Sequence, residues 1–168
     1  MTATAQQTTT QVYRVYIKAS AEAVWDAITN PEWTQKFGYG GRGEYDLRPG
    51  GAYRGLSSDD MRAHGAPEVA VDGEVLEVDP PRRLVQTFRM LMDPEIAGEG
   101  FSRLTYEIEP MPTGATRVTV VHEFDQQQAR LSTLMSGGFE SEGAGGGWAY
   151  VLSDLKSVLE TGEGIGGW

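Results

Sequence analysis

The sequence predicts an α+β domain in which a curved antiparallel sheet of about six to seven strands wraps around a long C-terminal helix. Two observations support this class. The elements run in order from one strand through two short helices to a series of strands and a final helix. Residues 148–159 carry an apolar stripe at helical spacing, and such a stripe must pack against another surface. A sheet bent around this helix provides that surface and usually leaves a cavity beside it.

Local signals define the first elements. Residues 11–19 alternate between their two faces, as a strand does. Ser20 is a good N-cap for the helix that follows, and Asn30-Pro31 ends that helix and begins a second short one. The apolar positions of the first helix, spaced i, i+3, i+4 and i+7, are Ala21, Val24, Trp25 and Ile28.

The middle of the chain has the alternation of β-strands. Strands are predicted at residues 44–47, 52–56, 69–78, 84–90, 101–109 and 116–124. Residues 57–67 and 93–100 are predicted as loops, and residues 126–135 as a short extra helix. Residues 137–147 hold six glycines in eleven positions, which predicts a hinge or a disordered segment. Gly162 supplies a left-handed C-cap for the last helix.

Length and composition favour a single domain. Of the 168 residues, we assign 11–162 to the domain, 1–10 to a disordered N-terminal segment and 163–168 to a flexible tail. Cysteine is absent, so disulfides, thiolate metal sites and a cysteine nucleophile are excluded. A reducing compartment is therefore favoured, and we expect the cytoplasm. No apolar run approaches the roughly 20 residues that span a bilayer.

Charge excludes two classes of partner. The net charge is −10, from 24 acidic and 14 basic residues, and the only basic cluster is Arg82-Arg83 in a turn. Nucleic acids are bound through clustered lysine and arginine, so we expect no nucleic-acid partner. An anionic membrane surface would repel the chain for the same reason, and we expect no membrane partner.

Four segments in a fixed order resemble a known family. Gly73–Phe88 contains two strand-like runs joined by Pro80-Pro81. Ala23–Pro31 stands before it, and Val120-Val121-His122 and Gly147-Trp148 stand after it. This series resembles the START-like superfamily, also called SRPBCC, helix-grip or Bet v-like. Within that superfamily it resembles the C-terminal domain of the activators of heat-shock protein 90 ATPase.

The resemblance covers about residues 12–162 and implies the helix-grip fold, with a cavity between the sheet and the last helix. Some superfamily members are cyclases, hydratases or hydrolases that use polar groups in that cavity. The family name itself suggests a chaperone partner. His122 matches the histidine near the end of the family's last strand, and no fixed catalytic role comes with that position.

Two glycine-rich segments have the composition of phosphate-binding loops. Gly38–Gly43 is a literal G-x-G-x-x-G, with Asp59 about 20 residues further on. The dinucleotide-binding motif lies between a strand and a helix, whereas this segment leaves a helix and enters a strand, so we interpret it as a loop that rims a cavity. Gly143–Gly147 does precede a helix, and we interpret it as a linker, with a lid over the cavity as the alternative.

His122 and Tyr106 are the catalytic candidates. His122 shares an apolar strand face with Val120 and Phe124, where a histidine is either a hydrogen-bonded core residue or a general base. No metal site is predicted, because His64 and His122 stand 58 positions apart and no His-Glu pair has helical spacing on an apolar face. No cofactor is predicted.

Aromatic residues supply the strongest functional signal, because an apolar pocket with a few polar groups is the usual form of a small-molecule site. The predicted ligand-binding residues are Trp33, Phe37, Tyr39, Tyr53, Gln86, Phe88, Met90, Phe101, Tyr106, His122, Phe139, Trp148 and Leu152.

The preferred hypothesis is a module that binds a hydrophobic or aromatic small molecule in this cavity. A cavity enzyme of cyclase, hydratase or hydrolase type that uses His122 is the first alternative. A chaperone-associated activator of the heat-shock protein 90 ATPase type is the second. We expect a monomer or a homodimer with a small hydrophobic ligand as its partner.

Overall fold

The computed structural model describes residues 8–166. Its strands are β1 (Thr9–Ile17), β2 (Arg42–Tyr45), β3 (Ala52–Leu56), β4 (Val69–Asp79), β5 (Arg83–Met90), β6 (Ser102–Pro110) and β7 (Thr116–Phe124). Its α-helices are α1 (Ala21–Thr29), α2 (Pro31–Thr34), α3 (Asp59–Ala63), α4 (Pro94–Ala97), α5 (Ala129–Met135) and α6 (Gly147–Thr161). The strands form one antiparallel sheet in the order β1-β7-β6-β5-β4-β3-β2. The predicted α+β fold, a curved sheet with a C-terminal helix, is confirmed.

Capping explains where α1 and α2 begin. The Ser20 hydroxyl accepts a hydrogen bond from the Ala23 amide at 3.1 Å, and the Asn30 side chain accepts one from the Glu32 amide at 3.0 Å. Pro31 occupies the first turn of α2, where its missing N–H has no helical partner to lose. Both predicted short helices are therefore present.

The strand boundaries differ from the prediction at both sheet edges. β1 begins at Thr9, which pairs with Phe124, so the disorder expected for residues 1–10 is wrong at positions 9 and 10. Residues 1–7 lie outside the described range. β2 spans residues 42–45 rather than 44–47, because residues 46–51 form the turn to β3.

Both predicted loops between the strands contain a turn of helix. Ser58 caps α3 by accepting from the Met61 amide at 3.1 Å, and Asp93 caps α4 by accepting from the Glu95 amide at 2.8 Å. Pro94 stands in the first turn of α4. The capping signals are in the sequence, but four- or five-residue helices lack the apolar periodicity that identifies longer ones.

Glycine and irregular pairing mark where the sheet bends. The register shifts between Gly55 and Leu56 on β3 and between Val75 and Glu77 on β4. Such bulges increase the local twist and bend the strand. A Cβ on Gly73 would lie 1.9 Å from the Thr87 carbonyl oxygen, so only glycine permits the contact of β4 with β5 at this point.

The C-terminal helix packs as its apolar stripe predicts. Trp148, Leu152, Leu155 and Val158 are buried, and Gly162 ends the helix with φ of 84°. No helix within residues 8–166 is long and apolar enough to cross a membrane.

The chain on either side of α6 is ordered by close contacts. Gly145, Gly146 and Gly147 are buried, which favours a packed segment over the hinge or disorder predicted for residues 137–147. In the tail, Ile165 donates its amide to Asp154 Oδ1 on α6 at 2.7 Å. Residues 163–166 of the tail expected to be flexible therefore lie back on α6, and residues 167 and 168 lie outside the described range.

Candidate functional site

A cavity of about 1150 Å³ lies between the sheet, α6 and the glycine-rich loops that flank them. The predicted residues that line it from the helix and loop side are Phe37, Tyr39, Phe139, Trp148 and Leu152. Those that line it from the sheet are Tyr53, Phe88, Met90 and Tyr106. The structure thus brings nine of the thirteen predicted ligand-binding residues to one cavity, and seven of these nine are aromatic.

Trp33 and Phe101 are the first two predicted residues that do not line the cavity. Trp33 is half-buried on α2, with the Lys36 ammonium 4.4 Å from its ring centroid. Phe101 is 47% exposed beside the Arg89 guanidinium, which lies 4.5 Å from its ring centroid. Sequence places both rings near loops, but the side on which a ring packs depends on the tertiary structure.

Gln86 lies behind the cavity wall. It is fully buried on β5, and its Oε1 accepts a hydrogen bond from the Tyr45 hydroxyl at 2.7 Å. Tyr45 lines the cavity and is not among the predicted site residues, because the tertiary structure decides which face of β2 meets the cavity. Gln86 therefore does not contact the cavity itself but positions the Tyr45 hydroxyl, which does.

His122 also lies behind the wall, and both of its ring nitrogens are hydrogen-bonded. Trp148 Nε1 donates to Nδ1 at 3.0 Å, and Nε2 lies 2.6 Å from Ser102 Oγ, which donates onward to the Phe88 carbonyl at 3.1 Å. Because an indole N–H can only donate, Nδ1 is the acceptor and Nε2 carries the proton. Burial lowers the pKa of His122 to about 3, so the ring is neutral near pH 7.

This arrangement leaves His122 no free nitrogen with which to abstract a proton. The ring is fully buried, and it packs against Phe124 and Phe88 with centroid separations of 4.1 and 5.3 Å. A general base must come within hydrogen-bond reach of the proton that it removes. The geometry favours the hydrogen-bonded core histidine over the general base, and Tyr106 has no histidine partner in the cavity.

Three tyrosines form the polar part of the sheet-side wall. Tyr45 and Tyr53 face each other across β2 and β3, with stacked rings 4.5 Å apart. Tyr106, on β6, meets the edge of the Trp148 ring at 5.9 Å. Burial raises the pKa of both Tyr53 and Tyr106 well above the usual tyrosine value. Their hydroxyls therefore stay protonated.

The mouth of the cavity is built around Asp154. This carboxylate is 4% exposed, and its Oδ2 accepts the Gly38 amide at 2.8 Å. Gly38 begins the G-x-G-x-x-G segment, which follows α2, precedes β2 and lines the cavity, as expected of a rim rather than a phosphate-binding loop. Asp154 is not among the predicted residues, because a single aspartate on a helix carries no distinguishing signal.

Tyr39 joins the same rim to the start of α6. Its hydroxyl accepts the Gly147 amide at 3.2 Å, and its ring stacks on Tyr150 at 5.7 Å. A Cβ on Gly145 would lie 2.6 Å from the Tyr39 hydroxyl, so the glycine there permits the close approach. The segment expected to be a linker or a lid lines the mouth of the cavity through Gly143 and Gly145.

Among the described residues, no group of three or more histidine, cysteine, aspartate or glutamate side chains is placed to hold a metal ion.

The sequence matches the family described as Activator of Hsp90 ATPase homolog 1-like protein over residues 18–160. The chain belongs to this family. The match spans every strand from β2 to β7 and all cavity-lining residues except Gly164 and Gly166. It confirms the resemblance drawn from the sequence motifs. No curated protein matches the sequence.

Solved structures from this fold are similar over most of the chain. Protein MLL2253 from Mesorhizobium loti is 24% identical, with a TM-score of 0.64 over 90% of this chain and 96% of that one. The Aha1 dimer from Colwellia psychrerythraea is 19% identical, with a TM-score of 0.61 over 93% and 99%. DynU16, a protein of the dynemicin biosynthetic locus, is 20% identical, with a TM-score of 0.61 over 92% of this chain and 48% of that one. At these identities the likeness shows the fold.

Proposed function

We propose that the protein binds a hydrophobic or aromatic small molecule in the cavity between the sheet and α6. The observation that carries the proposal is the cavity itself, about 1150 Å³ with a wall of aromatic and aliphatic side chains. Transfer of apolar surface from water to such a wall contributes roughly 25 cal/mol per Å². Burial alone therefore supplies the driving force for an apolar ligand.

The size of the cavity indicates the size of the ligand. Small-molecule sites commonly enclose about 300–1,000 Å³, so this cavity is somewhat larger than most. Phe88 on β5 and Trp148 on α6 are buried and both line the cavity, whereas Tyr39 at the rim is 41% exposed. A polycyclic compound of several fused rings would contact both buried rings and enter past the rim.

Fold analogy adds limited support. DynU16 is described as a protein of a biosynthetic locus, and its fold is similar to that of this chain. One fold hosts many functions, so the cavity residues rather than the neighbour decide the proposal. The chaperone-partner hypothesis rests on the family description and stays a prediction, which a pull-down with heat-shock protein 90 would test.

A blocked cavity tests the proposal. Met90 lines the cavity and is half-buried on β5, so Met90→Trp would fill part of the space. Val12, 54% exposed on β1, gives the matched control Val12→Trp outside the cavity. Wild type and control should bind members of a panel of polycyclic aromatics and lipids in native mass spectrometry, with a melting temperature raised by about 5–10 °C at a ligand concentration 100 times Kd.

Met90→Trp should lose most of this shift while it retains a cooperative unfolding transition. If it binds the same compounds as tightly as Val12→Trp does, the ligand lies elsewhere and the proposal is wrong. If no compound in the panel binds the wild-type protein, an apolar ligand is likewise contradicted.

A further inference from the structure

The strands contribute three polar side chains to the cavity lining, all of them tyrosines, whereas the charged lining residues lie on helices and loops. Tyr45, Tyr53 and Tyr106 all line the cavity, and each is half-buried. The Tyr45 and Tyr53 rings stack with centroids 4.5 Å apart, and burial, followed by the neighbouring Tyr106 and Tyr53 hydroxyls, raises the pKa of Tyr45. They form one patch, which we call the tyrosine patch.

The hydrogen-bond partners within the tyrosine patch are unequal. Tyr45 donates its hydroxyl proton to Gln86 Oε1 at 2.7 Å, so that donor is already used. Among residues 8–166, neither the Tyr53 nor the Tyr106 hydroxyl has a hydrogen-bond partner, and neither is a buried polar atom sealed from solvent. Two donors are therefore left free on the cavity wall.

Both donors stay neutral across the physiological range. Burial raises the pKa of Tyr53 and Tyr106, so deprotonation lies far from pH 7. A phenol in this state donates one hydrogen bond, and a donor buried by a ligand without an acceptor would destabilise the complex. A tightly bound ligand must therefore present an acceptor at this position.

We propose that Tyr53 and Tyr106 bind a neutral acceptor oxygen, such as the carbonyl of an aromatic ketone, while the apolar wall covers the rest of the ligand. This inference rests on the proposed binding function and adds the chemical class of the ligand.

The charges around the cavity favour a neutral oxygen over a carboxylate. Lys36 and Arg130 are the two basic residues that line the cavity, but both lie on its helix and loop side, and neither belongs to the tyrosine patch. The Lys36 ammonium lies over Trp33, and the Arg130 guanidinium pairs with Glu95 at 3.3 Å. A carboxylate would lose its hydration without a cation to replace it, and that cost is large in an apolar site.

A pair of probes with the same aromatic ring system tests the inference. 1-Acetylpyrene and 1-ethylpyrene have nearly the same shape and differ in the carbonyl oxygen. Fluorescence titration should give about tenfold tighter binding of 1-acetylpyrene to the wild-type protein, since two hydrogen bonds are formed. Tyr53→Phe and Tyr106→Phe should each reduce that preference about threefold. Both variants should bind 1-ethylpyrene as the wild type does.

Tyr13→Phe is the matched control, because the Tyr13 hydroxyl donates to Gln11 Oε1 at 2.9 Å and Tyr13 does not line the cavity. It should keep the full preference. The infrared carbonyl band of bound 1-acetylpyrene should shift to lower frequency in wild type and in Tyr13→Phe, and less so in Tyr53→Phe and Tyr106→Phe. This band reports the hydrogen bonds directly, whether or not a variant is less stable.

Equal binding of the two probes, with an unshifted carbonyl band, would overturn the donor pair and leave the binding function intact. Tighter binding of 1-pyrenecarboxylate than of 1-acetylpyrene would overturn the neutral oxygen. Failure of the pyrene probes alone would overturn the inference, whereas failure of the pyrene probes and of every compound in the panel would overturn the proposed function as well.

Discussion

Trp148 Nε1 donates a hydrogen bond to His122 Nδ1 over 3.0 Å, and this bond joins α6 to β7. His122 in turn contacts Ser102 on β6 at 2.6 Å. The hydrogen bond holds the N–H edge of the Trp148 ring in place, and the same ring forms part of the cavity wall. His122, one of the two catalytic candidates from the sequence, thus orients Trp148 in the cavity wall.

Removal of this histidine should destabilise the fold. His122→Ala leaves the Trp148 N–H without its acceptor, removes the donor to Ser102 Oγ and opens a cavity, so we expect a loss of about 3–5 kcal/mol in the free energy of unfolding. The matched control is His64→Ala, whose side chain is 80% exposed and whose loss should cost less than about 0.5 kcal/mol. Urea denaturation measures both. Equal stability of the two variants would contradict the role assigned to His122.

The stability contributed at His122 should also depend on pH. The pKa of the ring is about 3 in the folded protein against 6.5 for the free side chain, so between these values the unfolded chain binds a proton that the folded protein does not. Stability from this group is complete above pH 6.5 and is lost as pH falls toward 3, by about 1.4 kcal/mol per pH unit.

This pH dependence can be measured in two ways. The loss of unfolding free energy from about pH 6.5 to 5 should be steeper in wild type than in His122→Gln, because the glutamine at position 122 binds no proton in this range. The His122 Hε1 chemical shift of the folded protein should stay constant over the same range. A titration of that resonance with a midpoint near 6.5 would contradict the buried neutral ring.

The close contact of β4 with β5 should make Gly73 intolerant of a side chain. A Cβ there would lie 1.9 Å from the Thr87 carbonyl oxygen, so Gly73→Ala forces the strands apart and should cost about 2–4 kcal/mol. Gly98→Ala is the control, because its nearest contact would be an ordinary 3.4 Å. Thermal denaturation compares the two. A Gly73→Ala protein as stable as Gly98→Ala would show that the sheet yields easily at this bend.

Asp154 should hold the rim of the cavity in place. Its two oxygens accept the Gly38 and Ile165 amides, and Asp154→Asn retains only one acceptor for these two donors. We expect a loss of about 1–3 kcal/mol and faster amide exchange at residues 38 and 165. Ser153→Ala, on the exposed side of α6, should change neither amide. Unchanged exchange in Asp154→Asn would show that the rim does not depend on the carboxylate.

Sequence predicted the elements that local chemistry determines. The Ser20 cap, the Asn30-Pro31 boundary and the stripe from Trp148 to Val158 each need only neighbouring residues, and all three are present. The shared face of Val120, His122 and Phe124 follows from strand alternation and is likewise buried.

The parts that sequence did not predict depend on distant residues. Tyr45 belongs to the site because its ring lines the cavity and its hydroxyl donates a hydrogen bond to Gln86 Oε1 on β5, which is distant in sequence. Asp154 holds the rim because the loop at Gly38 and the tail at Ile165, which are distant from each other in sequence, both donate to its carboxylate. Trp33 and Phe101 have the composition of ligand contacts, yet their rings pack beside Lys36 and Arg89 outside the cavity.

The position of the β2–β3 hairpin at one end of the sheet has a consequence for ligand choice. β2 has a neighbouring strand on one side only, while β5, β6 and β7 are each flanked on both sides. Edge elements with fewer partners open at lower free energy than the centre of a sheet. Tyr45 therefore stands on an edge strand, and Tyr53 stands on the strand that pairs with it. This part of the wall can adjust to compounds of different outline while the pairing of the central strands stays intact.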